Sequence, residues 1–192
     1  MNRRSILILT VAAPAATFAA GVDTANWIEQ VELHDGQMID VSRTARRQSS
    51  GFPSSRRGPV IDYELTYRQV RWQGPWNRIP ASFELFDGVP HLMVFIGDPV
   101  TCTKKQPEEF AALFFKFVNG SWVEVSQNEF PTSRALVNLV EDFWGHTSDE
   151  DPKGRLSWAK KAIVGDINAS HPYTVDAFFA KYQNRLCRWV RR

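Results

Sequence analysis

Three turn signals, each set between runs of alternating apolar and polar residues, constrain this sequence more than any other feature. Asp35-Gly36 follows the run 27–33, and Asp87-Gly88 and Asn119-Gly120 each separate two further runs. Asp-Gly and Asn-Gly pairs favour the type I′ turn of a β-hairpin, because both central residues of that turn have positive φ. The sequence therefore predicts three antiparallel hairpins.

A further β segment lies between the first two hairpins. Residues 61–72 carry Ile61, Tyr63, Leu65 and Tyr67 at alternate positions, which is the pattern of a half-buried strand. Together with the hairpins this gives about seven strands, mostly antiparallel and locally connected. We therefore predict an α+β fold in which residues 22–131 form a meander or barrel-like sandwich.

The C-terminal third, residues 132–192, changes to a helical period. Apolar residues recur at helical spacing over 136–143, and Thr132 or Ser133 could cap the N-terminus of that helix. Residues 174–190 form a stronger candidate, since their apolar residues fall on one stripe and their basic residues lie away from it. We predict that these C-terminal helices cover the sheet.

The first 21 residues have the composition of a secretory signal peptide. Arg3 and Arg4 precede an uncharged apolar stretch, and Ala19-Ala20-Gly21 offers the small residues that a signal peptidase accepts. A membrane anchor is the alternative, but a spanning helix needs about 20 apolar residues, and Pro14 interrupts this run. We predict cleavage, export to the bacterial periplasm or medium, and no transmembrane segment in the mature chain.

Charge composition argues against a nucleic-acid partner. The chain has 23 Lys and Arg against 21 Asp and Glu, and removing Arg3 and Arg4 with the leader leaves 21 against 21. A near-neutral chain lacks the basic excess that phosphate backbones select.

Two cysteines, Cys102 and Cys187, form a candidate disulfide, because a pair of thiols in an exported protein meets an oxidising compartment. Closing a loop of this size would stabilise the fold by roughly 4–5 kcal/mol. Two separate thiols are the alternative, since sequence spacing cannot place their Cα atoms within reach.

An arginine-rich segment over residues 43–59 contains no acidic residue and includes glycine and proline, so we predict a mobile loop or the tip of a long hairpin. Its arginines are a candidate patch for an anionic partner, and a solvated loop is the alternative. These arginines are Arg43, Arg46, Arg47, Arg56 and Arg57.

Catalytic and metal-binding motifs are not recognisable in this sequence. The four histidines have no zinc-site spacing, and no GxSxG nucleophile elbow occurs. We therefore predict no catalytic residues, no metal site and no cofactor.

Several short motifs follow one another in a defined order. They are Trp27-x-Glu-x-Val-x-Leu-His-Asp-Gly36, Leu85-Phe-Asp-Gly-Val-Pro90, Cys102, Phe114-Phe-Lys-Phe, and Asn119-Gly-Ser-Trp122 leading to Glu129-Phe-Pro131. The series resembles a group of small exported proteobacterial proteins to which no activity is assigned. The resemblance covers about residues 27–140 and implies export and a β-rich fold.

These observations favour a non-enzymatic envelope protein, a binding or accessory module whose partner is another protein or an anionic envelope component. A small periplasmic hydrolase-like enzyme is the first alternative, and it requires His91, Asp87 or His146 to converge in one cleft. An inhibitor or immunity-type partner protein is the second. A structure separates the first two hypotheses, because it shows which histidines and carboxylates meet.

Overall fold

The structure is a computed structural model that describes residues 21–49, 58–96, 112–139, 155–156 and 173–182. The predicted signal peptide up to residue 20, the candidate disulfide, Arg56, Arg57 and His146 lie outside these residues. No helix in the described part of the chain is long and apolar enough to cross a bilayer.

Two β-sheets hold most of the regular structure, which confirms the prediction of a β-rich, mostly antiparallel fold. The strands are β1 (Val22–Glu32), β2 (Met38–Gln48), β3 (Val60–Tyr67), β4 (Val70–Pro75), β5 (Arg78–Phe86), β6 (Val89–Ile96), β7 (Ala112–Val118), β8 (Ser121–Val125) and β9 (Arg155–Leu156). Sheet A has the order β4-β3-β2-β1-β9, in which β9 alone runs parallel to its neighbour, and sheet B has the order β5-β6-β7-β8.

The three predicted hairpins are all present, and two of them have the predicted turn. Asp87 and Gly88 have φ of 51° and 75°, and Asn119 and Gly120 have φ of 51° and 82°, so both central residues are left-handed as a type I′ turn requires. The first hairpin differs, because its backbone bond joins the N–H of Leu33 to the carbonyl of Gln37 over a longer connection.

The segment 61–72, predicted as one strand, is a fourth hairpin. Strands β3 and β4 meet at a two-residue turn, Arg68-Gln69, and Arg68 has a φ of 52°. The prediction is wrong here because the turn contains neither glycine nor asparagine, so no local signal separates the two strands.

Sheet A buries one face, and its strands alternate accordingly. In β1 the odd-numbered residues from Ala25 to Val31 are buried and their neighbours are exposed or partly exposed. In sheet B, β5 contains an unbroken buried run from Pro80 to Glu84, and β6 a run from His91 to Val94. Continuous burial of this kind indicates a strand that is covered on both faces.

One face of sheet B packs against sheet A in a shared hydrophobic cluster. It includes Trp27, Val31, Val41, Leu65 and Trp72 of sheet A, and Phe83, Leu92, Val94, Ile96 and Leu113 of sheet B. Burying one large apolar side chain contributes about 1.5–3 kcal/mol, so this cluster contributes strongly to stability.

The other face of sheet B is covered by residues 130–137 and by the helix α1 (Val175–Tyr182). The ring of Phe178 stacks on Phe95 at 5.3 Å between centroids. Cover by several helices is not shown, since α1, eight residues long, is the one α-helix in the described ranges. It begins where the stronger candidate was expected, and residues 183–190 of that candidate lie outside the description.

The predicted helix over 136–143 does not form in its described part. Residues 136–139 are not helical: Leu136 forms an isolated antiparallel bridge with Thr174, and the N–H groups that follow bond to other segments. The N–H of Val137 donates to the carbonyl of Tyr173 at 2.9 Å, and those of Asn138 and Leu139 donate to the carbonyl of Ala81 at 3.1 and 3.2 Å. Because these donors are already bonded, no i→i−4 ladder can use them.

Residues 43–48 of the arginine-rich segment belong to strand β2, which corrects, for that part, the prediction of a mobile loop or hairpin tip over 43–59; residues 50–57 lie outside the described residues. Strand β2 continues to Gln48 and pairs with β3 from Ser42 to Arg47. Its inward positions alternate as Val41, Arg43 and Ala45, so the residues follow the pattern of a half-buried strand that carries one charge on its inner face.

Candidate functional site

An open groove lies at one end of the space between the sheets, where β2 ends and β3 and β5 begin. Its volume is about 670 Å³, within the range of small-molecule sites. It is lined by Gln48, Pro59, Val60, Ile61, Tyr63, Trp76 and Ile79.

Trp76 and Ile61 give the groove its exposed apolar surface. Their exposed fractions are 51% and 41%, although both are large and hydrophobic. The backbone N–H of Trp76 donates to the carbonyl of Ile61 at 2.9 Å, and this bond holds the β4–β5 turn beside β3. The pair is therefore positioned by the fold.

Trp72, four residues earlier, has a structural role. It is buried in the core, and its indole lies across Gly74. A Cβ atom at Gly74 would lie 2.4 Å from that ring, so the close approach requires glycine. Of the two tryptophans, Trp76 alone lines the groove.

The lining of the groove carries no formal charge. Its polar groups are the amide of Gln48, the phenol of Tyr63 and the indole N–H of Trp76, and the rest of the lining is apolar. A neutral, largely apolar ligand with one hydrogen-bonding group fits this chemistry, because a charged group would lose its hydration without gaining a partner.

The predicted arginine patch is largely paired inside the protein. Arg43 is 1% exposed, and its Nη1 donates to Oε2 of Glu29 at 2.7 Å. Its guanidinium also lies over the ring of Trp27, 5.2 Å from the centroid. Burial lowers the pKa of Arg43, and the charge of Glu29 opposes that shift. Arg43 therefore belongs to the core and does not face a partner.

Two more arginines of the patch also bond within the protein. Nε of Arg46 donates to Asp62 at 2.7 Å, and Nη1 of Arg47 donates to the carbonyl of Gly58 at 3.1 Å. The counter-charges come from β1 and β3, so the composition of the segment alone could not reveal them. The signal that was available is Glu29, which occupies an inward position of β1 in the first hairpin.

A second cluster of functional groups surrounds Glu84 at the opposite end of the sheets. The carboxylate is buried and accepts four hydrogen bonds. Its Oε2 accepts from the backbone N–H and Nδ1 of His34, both at 3.0 Å. Its Oε1 accepts from the N–H of Leu136 at 2.9 Å and from Nδ2 of Asn138 at 3.3 Å. Burial raises the pKa of Glu84, and these bonds oppose the rise.

The bonds around His34 determine its tautomer. Nη2 of Arg134 lies 2.7 Å from Nε2 of His34. A guanidinium can only donate, so Nε2 accepts and the ring proton lies on Nδ1, where it donates to Glu84. The ring of Phe86 supports both partners, since it lies 4.5 Å from the His34 ring and 5.3 Å from the Arg134 guanidinium carbon.

The residues proposed for a hydrolase do not converge where the structure describes them. Nδ1 of His91 lies 2.9 Å from the carbonyl of Val89, and burial lowers the pKa of His91. Asp87 is exposed in its turn. The pair that meets is His34 with Glu84, which the sequence analysis did not identify. Because Nε2 of His34 accepts from Arg134, its lone pair is not available as a general base in this arrangement.

Metal-binding clusters are absent from the described ranges, where no three His, Cys, Asp or Glu residues converge. Comparison with family models, with characterised proteins and with solved structures found no match.

Proposed function

We propose that this chain is an exported, non-enzymatic binding protein that holds a small, neutral, largely apolar ligand in the groove beside Trp76. The exposed Trp76–Ile61 pair at the end of the inter-sheet core carries the proposal. Small-molecule sites are typically concave, mainly apolar and furnished with few polar groups, and they often occupy the mouth of a β structure.

The aromatic content of the groove favours a ligand with a flat apolar part. Trp76 offers a ring for stacking, and Gln48 at the rim offers both a donor and an acceptor. Export is proposed from residues 1–21 of the sequence, which places the ligand in the bacterial envelope or the medium.

Titration with N-phenyl-1-naphthylamine, a neutral apolar fluorophore, tests this function. We expect saturable binding at one site, with enhanced fluorophore emission and quenching of tryptophan emission. Trp76→Ala should weaken binding about tenfold, because an aromatic contact contributes about 0.5–1.5 kcal/mol beyond its buried area.

Ile61→Ala and Ile28→Ala form a matched pair of variants. Both isoleucines are on sheet A and are similarly exposed, at 41% and 45%, but only Ile61 lines the groove. Ile61→Ala should weaken binding and Ile28→Ala should leave it unchanged. Equal binding in wild type, Trp76→Ala and Ile61→Ala would rule out the groove as the site.

A further inference from the structure

Strand β8 is an edge of sheet B that no described segment covers. The opposite edge of that sheet, β5, is covered by residues 138–139, whose N–H groups donate to the carbonyl of Ala81. In sheet A one edge carries β9, and the other, β4, contains Pro75 and has a carbonyl, that of Arg71, occupied by a side-chain donor. Within the described ranges, β8 therefore presents the edge that neither a neighbouring segment nor a proline obstructs.

The register of the β7–β8 hairpin determines which backbone groups β8 directs outward. Val118 and Ser121 flank the two-residue turn, and the flanking pair of such a hairpin is hydrogen-bonded. Bonded and non-bonded pairs alternate along an antiparallel ladder, so the N–H and carbonyl groups of Trp122 and Glu124 point away from β7. No described residue bonds to these backbone groups. They offer two donors and two acceptors to an incoming strand.

Side-chain contacts hold this edge in its extended conformation. Nε1 of Trp122 donates to the carbonyl of Arg71 at 2.9 Å, and the indole lies edge-on to the Phe117 ring at 5.3 Å between centroids. Just beyond the strand, the N–H of Ser126 donates to the carboxylate of Glu129 at 2.9 Å. A preformed edge loses little conformational entropy when it pairs with another strand.

One face of the edge is also apolar and exposed. Val123 of β8 is 46% exposed, and Val118, on the same face of the adjacent strand β7, is 38% exposed. Sheet edges that avoid pairing usually carry lysine, proline or a bulge, and β8 has none of these. Its one charged residue, Glu124, belongs to the opposite face.

We propose that β8 pairs antiparallel with β8 of a second copy of this chain, so that sheet B continues from one copy into the other. The two-fold axis passes beside Val123. Trp122 of each copy then exchanges two backbone hydrogen bonds with Glu124 of the other copy. The two Val123 side chains lie directly opposite each other at a non-bonded pair, where cross-strand contacts are closest.

The sequence of β8 is self-complementary in this register, which favours a second copy over an unrelated strand. A shift by two residues in one direction places Glu124 opposite Glu124 of the other copy, and directly opposed like charges destabilise a strand pair. The shift in the other direction places Glu124 opposite Gly120 in the turn and leaves only the Trp122 pair bonded. The formal charge of the chain is +2, so repulsion between copies is weak.

Sedimentation velocity between about 10 μM and about 1 mM tests the proposal, with a reductant present so that cysteines cannot link two chains. An interface built on one strand pair is smaller than that of a permanent dimer, so we expect a monomer–dimer equilibrium in this range. Amide hydrogen exchange at Trp122 and Glu124 should slow as the dimer forms, and exchange at Arg71 and Gln73 on the β4 edge should not. A protein that stays monomeric at about 1 mM would overturn the proposal.

Proline substitution at an outward-facing position blocks an edge without removing a hydrogen bond of the monomer. Glu124→Pro removes an outward N–H from each copy, and it should raise the dimer dissociation constant about tenfold or more. Gln73→Pro is the matched control, because Gln73 occupies the equivalent outward position on β4. It should leave the dissociation constant unchanged.

A second pair of variants decides the result if a proline variant does not fold. Val123→Lys places two ammonium groups opposite each other at the axis and should weaken dimerisation about fivefold. Val118→Lys adds the same charge on the same face, one strand in from the edge, and should have a smaller effect. Equal dimerisation of wild type and Val123→Lys, or a dimer in which the Trp122 and Glu124 amides exchange as in the monomer, would assign association to another surface and refute the pairing.

This interface goes beyond the proposed function and is independent of it. The groove lies at the β5 edge of sheet B, where Ile79 lines it, and β8 is the opposite edge of the same sheet. Val123→Lys should bind the neutral fluorophore like wild type, and Trp76→Ala should dimerise like wild type. Each proposal can therefore fail alone.

Discussion

Glu29 and Glu84 are both completely buried carboxylates, and the protein stabilises them in different ways. Glu29, in sheet A, has Arg43 as a permanently charged partner from the adjacent strand, 14 residues away in sequence. Glu84, in sheet B, has His34, Leu136 and Asn138, which are 50 or more residues away. The first pair can form within a single hairpin, whereas the second network forms only when separate segments come together.

The comparison also distinguishes a charge that is confined to the core from one that is connected by hydrogen bonds to an exposed residue. Arg43 has no exposed side-chain surface, and its guanidinium forms an ion pair with the equally buried carboxylate of Glu29. The Glu84 carboxylate is connected to the exposed Arg134 by the two hydrogen bonds of the His34 ring. We expect the Glu29 pair to matter for stability, and the Glu84 network to matter for stability and for its dependence on pH.

Replacing Arg43 with methionine should have the largest effect. Arg43→Met leaves the Glu29 carboxylate buried without its cation, and such a loss costs about 3–5 kcal/mol. The free energy of unfolding from chemical denaturation measures it. The double variant Glu29→Leu with Arg43→Met removes both charges and should recover most of the loss. A double variant as unstable as the single one would contradict the assignment of the loss to an unpaired charge.

Replacing Glu84 with glutamine should have the next largest effect. Glu84→Gln puts an amide NH₂ where the carboxylate faced only donors, so some N–H groups lose their acceptor. We expect a loss of about 2–3 kcal/mol in the free energy of unfolding. Glu64→Gln, at a partly exposed carboxylate paired with Arg71, is the control and should cost under about 1 kcal/mol. Similar losses of unfolding free energy in the two variants would contradict the expectation that the buried carboxylate contributes more to stability than the surface one.

The pH dependence of stability should reveal Glu84. Its pKa is raised above the ordinary value of 4.5, so the folded state binds a proton that the unfolded state has released. Stability from this group is fully present below pH 4.5 and is lost as pH rises through the raised pKa. The difference in unfolding free energy between wild type and Glu84→Gln should therefore shift in favour of wild type as pH falls from 8 to 4.5. His91 is the same in both proteins, so its contribution cancels, and a difference that shrinks on acidification would refute the expected direction.

Replacing Arg134 with glutamine should have the smallest effect on stability. The guanidinium is exposed, and its contact with the Phe86 ring is of the kind that contributes under about 1 kcal/mol. Thermal unfolding of the two variants, Arg134→Gln and Arg43→Met, compares an arginine connected to Glu84 with an arginine paired with Glu29. A large loss at Arg134 would mean that the Glu84 network depends on that cation as strongly as Glu29 depends on Arg43.

Local signals predicted the hairpins, because Asp-Gly and Asn-Gly pairs favour left-handed backbone whatever surrounds them. They failed at Arg68-Gln69, where a residue without that preference adopts a positive φ under the constraint of the paired strands. They also failed at residues 136–139, where helical spacing of leucines coincided with a non-helical segment whose N–H groups bond to Ala81, Glu84 and Tyr173.

The candidate sites were less accessible from the sequence. Arg43 and its neighbours were identified as a charged group, but their partners lie on other strands. Finding Glu29 requires the register of the first hairpin, which places Arg43 opposite Trp27. His34 was not identified as a site residue, since Glu84 and Arg134 are 50 and 100 residues away in sequence. The groove depends on how the β4–β5 turn meets β3, which no local pattern describes.

The sequence by itself determined the β-rich character and the positions of three chain reversals, because backbone preference and alternation act over a few residues. Only the tertiary structure decided which strands form each sheet, that residues 136–139 are not helical, and which polar groups meet. Those outcomes depend on contacts between distant segments, where burying apolar surface and satisfying buried hydrogen-bonding groups outweigh local preference.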